Sequence, residues 1–524
     1  MHDLPESLKK EYESLATERS PYLERARDAS KHTLPHLIPP AGKTSGSRLR
    51  HGYSNFGARC VNSLASKYQM SLLPARQAFF RYVLEDSVLE KLQAQAQKEL
   101  LTEVEAGLAK VEAAILTDID TTPTRGPAGE AMKHLLVAGN VLVHDLPRGG
   151  LRTYGIQSYV VERDGAGQVL THICEDHVSP NALPLEIRDQ VKAIIKARNS
   201  REKTVCIYTG VFRRDDKWHV WQEVEGIEVP ESRGSYPLDA SPWMALRFTP
   251  VDGESYGRGH VEDYLGYFVS LEGLTAALVK GVAALSKVIY LRRPTSPTRA
   301  RVVTSAETGD VVDGNPEDIK PLESGSKAVD LSQAREMIRD LKEELSFVFA
   351  LHSAVQRNAE RVTAEEIRFM AQELDSNNGG AYSTLALDFQ MPLLTSRRAR
   401  LSRTGKLPSL PKKALRPMIV TGLDALGRGA ELDNLRALVK DVVDLGGPQA
   451  LETYLHFDDL LKRLTTARGV KPAGLIKDAA VVAQEQQQKQ MAQMVQHLGP
   501  NAITQMGQLA KQGGMPAGQP PTAQ

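Results

Sequence analysis

The chain has 524 residues, 41% hydrophobic and 25% charged, too many for one ordinary core, so roughly two to four packed units are expected. Its formal net charge is +1, so bulk charge does not draw it to nucleic acid or membrane, and any electrostatic role must come from local patches. Three widely spaced cysteines, Cys60, Cys174 and Cys206, point to a reducing compartment and away from a disulfide framework.

The amino-terminal stretch is charged and amphipathic and carries no apolar signal region. Residues 3–34 predict a helix, because Leu4, Leu8, Leu15, Tyr22 and Ala26 recur at helical spacings among Glu, Lys and Arg. Residues 35–52 are rich in Pro, Gly and Ser and predict a loop. A second helix is expected from Tyr53 to Leu73, ending near Pro74. A third starts at Ser87, where Ser87-Val-Leu-Glu90 matches a capping box, and runs toward Asp120. A short helix should follow the punctuation at 121–129 and end near Ala138.

From Asn140 to Phe248 the pattern changes to strands, at 141–144, 153–162, 169–174, 205–212 and 219–224. Asp164-Gly165 and Asp215-Asp216 suit the turns of antiparallel hairpins. A helix over about 184–198 interrupts the strands, so this is an α+β unit.

A long helix is expected from Ser255 to Leu291, roughly 36 residues or about 54 Å. Its apolar stripe is Val261, Tyr264, Phe268, Leu271, Leu274, Leu278, Val282, Leu285 and Ile289. Gly259, Gly266, Gly273 and Gly281 lie close to one face, and each costs about 1 kcal/mol relative to Ala in a helix interior. Such a row implies close approach by another backbone. Lys280 and Lys287 interrupt the most apolar window, so it reads as a helix-packing segment and not a membrane span.

Residues 292–326 form a turn-rich excursion with short strand signals at 301–304 and 310–313. A second amphipathic helix, about 328–353, carries Leu331, Met337, Ile338, Leu341, Leu345, Val348 and Leu351. A polar stretch, Gln356 to Arg361, separates it from a capping box at Thr363-Ala-Glu-Glu366. The helix that starts there runs toward Gln390, with Gly379-Gly380 as its kink. Residues 391–417 read as proline-broken and carry Arg397, Arg398, Arg400, Arg403, Lys406, Lys412, Lys413 and Arg416 without an acidic residue. Helices resume at about 432–445, 448–455 and 458–466, and the chain becomes Gln-rich and then Gly/Pro-rich from Gln484.

No motif makes a case for catalysis. Gly42-Lys43-Thr44 lacks the strand, the helix and the first glycine of a phosphate-binding loop, since position 37 is Leu37. His172, Cys174 and His177 are potential ligands, but no fourth partner is evident from spacing, and an ordinary strand end is the simpler reading. Asp252 to Gly259 reads as a loop that leads into the long helix. The basic run could grip phosphates, yet it has no interleaved aromatics for base stacking, and a solvated or partner-docking face is its alternative. Catalytic, cofactor and metal residues are therefore expected to be absent.

The combination of Ala58-Arg59, Leu64-Ala-Ser-Lys67, Leu136-Val-Ala-Gly-Asn-Val-Leu142, Ser158-Tyr-Val-Val-Glu-Arg-Asp164 and Glu223-Val-Glu-Gly226 is family-like in number, order and spacing. So are Asp252-Gly-Glu-Ser-Tyr-Gly-Arg258, Ser353-Ala-Val-Gln-Arg357, Glu360-Arg-Val-Thr-Ala-Glu-Glu-Ile-Arg368 and Thr421-Gly-Leu. In these the chain resembles the head-to-tail connector, or portal, proteins of short-tailed double-stranded-DNA bacteriophages, in the group that encodes its own RNA polymerase. The resemblance runs from the first helix to about residue 430.

It implies a mainly α subunit with an α+β wing, built as wing, stem, clip and crown and assembling into a ring, usually of twelve copies, at one capsid vertex. The wing would be 1–254 with the helix 363–399, and the stem 255–291 with 327–353. The clip would be 292–326, the tunnel loop 354–362 and the crown 400–483, followed by a tail over 484–524. Gln356, Arg357, Asn358, Glu360 and Arg361 would line the DNA channel. Arg292, Arg293, Arg299 and Arg301 would dock partners at the clip. Arg397, Arg398, Arg400, Arg403 and Lys406 would meet DNA or an internal virion protein. The implied partners are further copies of the chain, the DNA in transit, the large terminase, the tail adaptor, scaffolding and major capsid proteins, and internal virion proteins, without membrane insertion. The implied location is the portal vertex of the virion, and the host cytoplasm during assembly.

Overall fold

The computed structural model describes residues 5–44, 46–49, 51–75, 79–84, 98–197, 204–285, 290–295, 299–321, 327–351, 374, 380–407, 415–419 and 438–444. The chain divides into two compact units, Met1–Ala425 and Leu426–Gln524; of the second, the described residues 438–444 are helical.

The first helix, α1 (Leu8–His32), is organised by the spacing of its apolar residues. Leu8, Tyr12 and Leu15 seal against Val160, Ile173, Tyr208, Phe212 and Trp221 of a sheet, whereas Leu23, Ala26 and Ala29 enter the main core. The helix start is capped from outside. Buried Glu223 accepts from the Leu8 N–H at 2.7 Å and the Ser7 hydroxyl at 2.9 Å, placing a carboxylate at the positive end of the helix dipole.

That sheet has the order β4 (Tyr159–Arg163), β5 (Val169–Val178), β6 (Val205–Arg214), β7 (Lys217–Val224) and β8 (Ile227–Glu228), with β9 (Gly234–Pro237) also pairing β7. Asp215 and Asp216 both take positive φ, 49° and 57°, in the two-residue turn that joins β6 to β7. The β4–β5 turn is longer, and Gly167, not Gly165, takes its left-handed position, at φ 80°. α5 (Leu185–Ala197) crosses between β5 and β6 and closes a small core of Leu183, Ile187 and Val191 on Val205, Val224 and Val229.

The main core gathers α2 (Phe56–Leu72), α3 (Lys98–Thr121) and α4 (Arg125–Ala138) against a second antiparallel sheet. Its order is β10 (Trp243–Arg247), β2 (Asn140–Asp145), β3 (Leu151–Gly155). Gly139 ends α4 at φ +72°, and a Cβ there would fall 2.3 Å from the Arg258 carbonyl carbon, so only glycine fits. β1 (Phe80–Leu84) and β13 (Leu415–Ile419) form a separate antiparallel ladder.

Several sequence expectations change. Residues 153–162 are not one strand: a 3-10 turn, Ile156–Ser158, separates β3 from β4. The Arg19 guanidinium gathers the carbonyls of Ile156, Gln157 and Tyr159 at 2.7–3.2 Å and holds that corner. The long helix is shorter than expected. It begins as α6 (His260–Asp263), is interrupted at Tyr264, and continues as α7 (Leu265–Leu285). Residues before it are held elsewhere: Thr249 bridges Arg258, and the Asn140 side chain pairs both the N–H and the carbonyl of Gly257. Beyond it, β11 (Tyr290–Arg292) pairs with β12 (Ile319–Pro321).

Inside the excursion, 301–304 falls within helix α8 (Ala300–Ser305), and 310–313 is irregular. Val302 is 46% exposed and Val311 98% exposed, so neither of these valines has the half-buried surface on which β preference depends. The next helix is α9 (Lys327–Val348). Left-handed Gly380 precedes α10 (Ala381–Leu385), which passes through a π-helical turn, Ala386–Gln390, into α11 (Met391–Arg403). Residues 391–403 are thus helical and not proline-broken; Pro392 sits in the first turn of α11, where a missing N–H is tolerated. The capping box at Ser87 lies outside the described residues, as do Thr363–Glu366 and the expected helices 448–455 and 458–466.

Candidate channel and docking surfaces

α7 and α9 form an antiparallel hairpin. Tyr264 and Phe268 meet Phe349 near one end, at ring-centroid distances of 6.3 and 5.5 Å. Gly281 lies against Leu331 near the other, where an added Cβ would fall 2.9 Å from the Leu331 Cδ2. The inner stripe is largely the one read from spacing, but Val282, expected in it, is exposed because it lies near the open end of the hairpin, and the side chains of Leu285 and Ile289 lie outside the described residues. Val261, Phe268, Leu271, Ile338 and Leu345 are buried, with Tyr264, Leu274, Leu278, Leu341, Val348 and Leu351 packed on them.

Further apolar side chains on these two helices are open to solvent. Tyr267, Val269, Val279, Val282, Met337 and Phe347 are exposed, Phe347 by 71%. Two of the four glycines, Gly266 and Gly273, have nothing near a would-be Cβ, whereas Gly259 is pressed against the backbone of Val137 and Gly139 at 2.8–2.9 Å. Close backbone approach is therefore realised within the protomer at Gly259 only. The window 265–284 of α7 is long and apolar enough to cross a membrane, and few of its residues are buried.

One end of the hairpin is clamped. Lys67 on α2 is buried and donates through Nζ to the Ala350 carbonyl, just past α9, where its charge also complements the carboxyl end of the helix dipole. His260 packs on Phe349 at 4.8 Å, and burial pushes its imidazole pKa down to about 4. In the sequence Lys67 stood out only as the end of Leu64-Ala-Ser-Lys67; a lysine on the apolar face of α2 was the available signal for its clamp.

At the far end, the β11–β12 ladder carries the excursion. Arg292 lies in β11, and Arg293 is exposed beside Glu317 at 3.8 Å. Arg299 occupies the N-cap position of α8 and Arg301 its first turn, both exposed. Gln356, Arg357, Asn358, Glu360 and Arg361 all lie outside the described residues.

The basic run divides by helical geometry. Arg397 on α11 is fully buried; its Nε lies 2.8 Å from Asp145 Oδ1, and its other nitrogens reach Asp118, Thr122 and Thr124. Arg400, one turn on, shares Asp118 at 2.5 Å. Burial raises the Asp145 carboxyl pKa, and the neighbouring Arg397 charge works against that rise. Arg398 instead lies over the Tyr82 ring at 5.7 Å and Arg403 near Tyr236 at 5.8 Å, while Arg403 and Lys406 are exposed. The run is therefore not a uniform basic face, because Arg397 and Arg400 point inward at acids contributed by α3 and β2. Lys412 and Lys413 lie outside the described residues.

Gly42-Lys43-Thr44 is an exposed turn: Gly42 has φ 74°, and the Lys43 N–H donates to the Pro40 carbonyl at 3.0 Å. His172 and Cys174 share the inner face of β5, as strand alternation requires. Burial pushes the His172 pKa down to about 3 and the Cys174 thiol up to about 12.

Comparison with known proteins matches this chain to one family. The model of the bacteriophage head to tail connecting protein family matches residues 5–476. The portal protein of Escherichia phage T7 is 38% identical over 495 residues, spanning 93% of this chain and 90% of that protein. The portal protein of Enterobacteria phage SP6 is 30% identical over 93% of this chain and 92% of its own length, and that of Pseudomonas phage phiKMV 30% identical over 90% and 92%. The chain belongs to the bacteriophage head-to-tail connecting, or portal, protein family, and its function is that of a podovirus portal. The neck of a native gene transfer agent particle, computed with C12 symmetry, overlaps 77% of this chain and 91% of that chain at 11% identity and a TM-score of 0.32, too slight an overlap to carry an argument.

Proposed function

We propose that copies of this chain close into a ring, of twelve by family resemblance, at one capsid vertex, through which double-stranded DNA enters and leaves the head. The observation that carries this reading is the set of open apolar side chains on α7 and α9. Six large apolar side chains and two unfilled glycine positions on these helices would be left in water by a monomer. A closed heterologous ring buries such a surface against the next copy. A neighbouring copy, and not lipid, is the partner assigned to α7.

In this arrangement the hairpin is the stem and 292–326 the clip, whose Arg292, Arg293, Arg299 and Arg301 dock the large terminase and later the tail adaptor. Residues 354–362 form the tunnel loop, 1–254 with 363–399 the wing, and 400–483 the crown. The wing meets scaffolding and major capsid proteins. Arg398, Arg403 and Lys406 remain candidates for DNA or an internal virion protein, whereas Arg397 serves the fold. Mixed charge along α9, from Asp330, Arg335, Glu336, Arg339, Asp340 and Lys342 to Glu343 and Glu344, suits a conduit. A strongly basic bore would hold DNA by counterion release. The chain supplies geometry in the virion and, before that, in the host cytoplasm during assembly, and a separate terminase hydrolyses ATP.

The test is electron microscopy of the purified full-length protein together with native mass spectrometry. Rings with an axial hole are expected. A stable monomer at assembly concentrations would overturn the ring.

A further inference from the structure

β5 and β6 place three metal-binding chemistries together that the linear sequence keeps apart. In the antiparallel register His177 faces Cys206, and Glu175 faces Tyr208. Alternation puts Glu175 and His177 on the same face as Ile173, the face that α1 covers, and Cys206 packs at the edge of that core. The opposite face, with His172 and Cys174, is buried and uninvolved.

The candidate ligand atoms of Glu175, His177 and Cys206 all lie within 4.8 Å of one another. Cys206 Sγ and His177 Nδ1 are 3.4 Å apart. Tetrahedral zinc, with bonds of about 2.3 Å to sulfur and about 2.05 Å to nitrogen, would set these atoms about 3.6 Å apart. The pair is thus near ligand spacing before any ion arrives. The Tyr208 hydroxyl lies 3.5 Å from Glu175 Oε1, and burial raises its pKa, keeping it a donor able to orient the carboxylate. His177 is exposed and Glu175 and Cys206 are only partly buried, so an ion and its water can reach the three ligands.

We propose that Glu175, His177 and Cys206 form a binding site for a divalent transition metal of the zinc type, with carboxylate, imidazole and thiolate ligands and a fourth position left to water. Binding displaces the Cys206 thiol proton to solvent; the ion keeps its oxidation state and no other bond changes. The site ties the exposed ends of β5 and β6 together beside α1, beyond the point where β4 stops pairing with β5.

The experiment uses the reduced full-length protein, stripped by chelator and titrated with Co²⁺. Saturation at one ion per chain is expected, with a thiolate-to-cobalt charge-transfer band that Zn²⁺ displaces. Cys206→Ser should abolish the band, and His177→Gln and Glu175→Gln should each weaken Co²⁺ binding by at least about ten-fold. A band that survives in Cys206→Ser would place the thiolate at Cys60 or Cys174 and overturn the proposal, as would the lack of saturable binding. A second measurement needs no variant: Zn²⁺ should slow alkylation of Cys206 in the unmodified protein at least about ten-fold, and an unchanged rate also overturns it.

Discussion

Replacing Arg397 by Ala tests how α11 is held to α3 and β2. The Arg397 side chain is fully buried, and its charge is matched by Asp145 at 2.8 Å and by Asp118, with hydroxyls of Thr122 and Thr124 taking further donors. Alanine would leave Asp145, 1% exposed, facing a cavity with no cation except Arg400 nearby. Breaking a buried pair from one side costs about 3–5 kcal/mol, because the remaining charge keeps its desolvation penalty without its partner. The exposed neighbour Arg403 sets the baseline, since loss of a surface cation usually changes stability by less than about 0.5 kcal/mol. Trp218, Trp221 and Trp243 all lie in the β-rich unit, so intrinsic fluorescence during urea unfolding reports on the region Arg397 braces. The expected result is a large fall in the midpoint for Arg397→Ala and almost none for Arg403→Ala. Asp145→Asn placed on Arg397→Ala should recover part of the loss, a coupling of roughly 1–3 kcal/mol. Equal midpoints for the two single variants would refute the buried-network account and return Arg397 to the candidate DNA-contact face.

Acid should unfold the protein earlier than carboxylate titration alone explains. Burial holds His144 and His172 at about 3 and His134 and His260 at about 4, whereas the unfolded chain takes up those protons near 6.5. The stability they contribute is complete above pH 6.5 and is lost as pH falls toward 4, on the order of 3 kcal/mol for each histidine at the limit. Burial-raised Asp145 and Asp388 act in the opposite direction, in the carboxylate range. A urea midpoint that stays flat between pH 7 and 5 would contradict this. Two glycines should separate folding from assembly. Gly259→Ala places a Cβ 2.8 Å from the Val137 carbonyl oxygen and should destabilise the protomer by about 1–3 kcal/mol. A Cβ at Gly273 meets nothing within 4 Å, so Gly273→Ala should leave the protomer's unfolding midpoint almost unchanged, while native mass spectrometry shows fewer rings. Arg357→Ala with Arg361→Ala should leave ring assembly intact and alter DNA packaging or retention; rings that fail to form would sink the tunnel-loop assignment.

Local chemistry was legible wherever an element depends on its own residues. The Asp215-Asp216 turn, the stripe from Val261 to Leu278 and the helix over 185–197 need only short-range pattern, and each is present. The family was legible too, from ordered motifs spread between residues 58 and 423, and the match over 5–476 bears that out. Elements that depend on a distant partner were misread. The valine pairs at 301–304 and 310–313 had strand composition but pair with no strand among the described residues; one is helix and the other irregular. The apparent basic run was misread for the same reason: periodicity turns Arg397 and Arg400 inward, but only the fold brings Asp118 and Asp145 to meet them.

By itself, then, the sequence determined the amphipathic hairpin, the antiparallel β unit and membership of the portal family. The tertiary structure decided which charges are spent inside the protomer, which glycines remain open, and that Cys206 lies opposite His177. The physical reason is separation along the chain. Helix and turn preferences act over a few residues, whereas an ion pair between residues 145 and 397, or a strand register joining 177 to 206, exists only once long loops have closed.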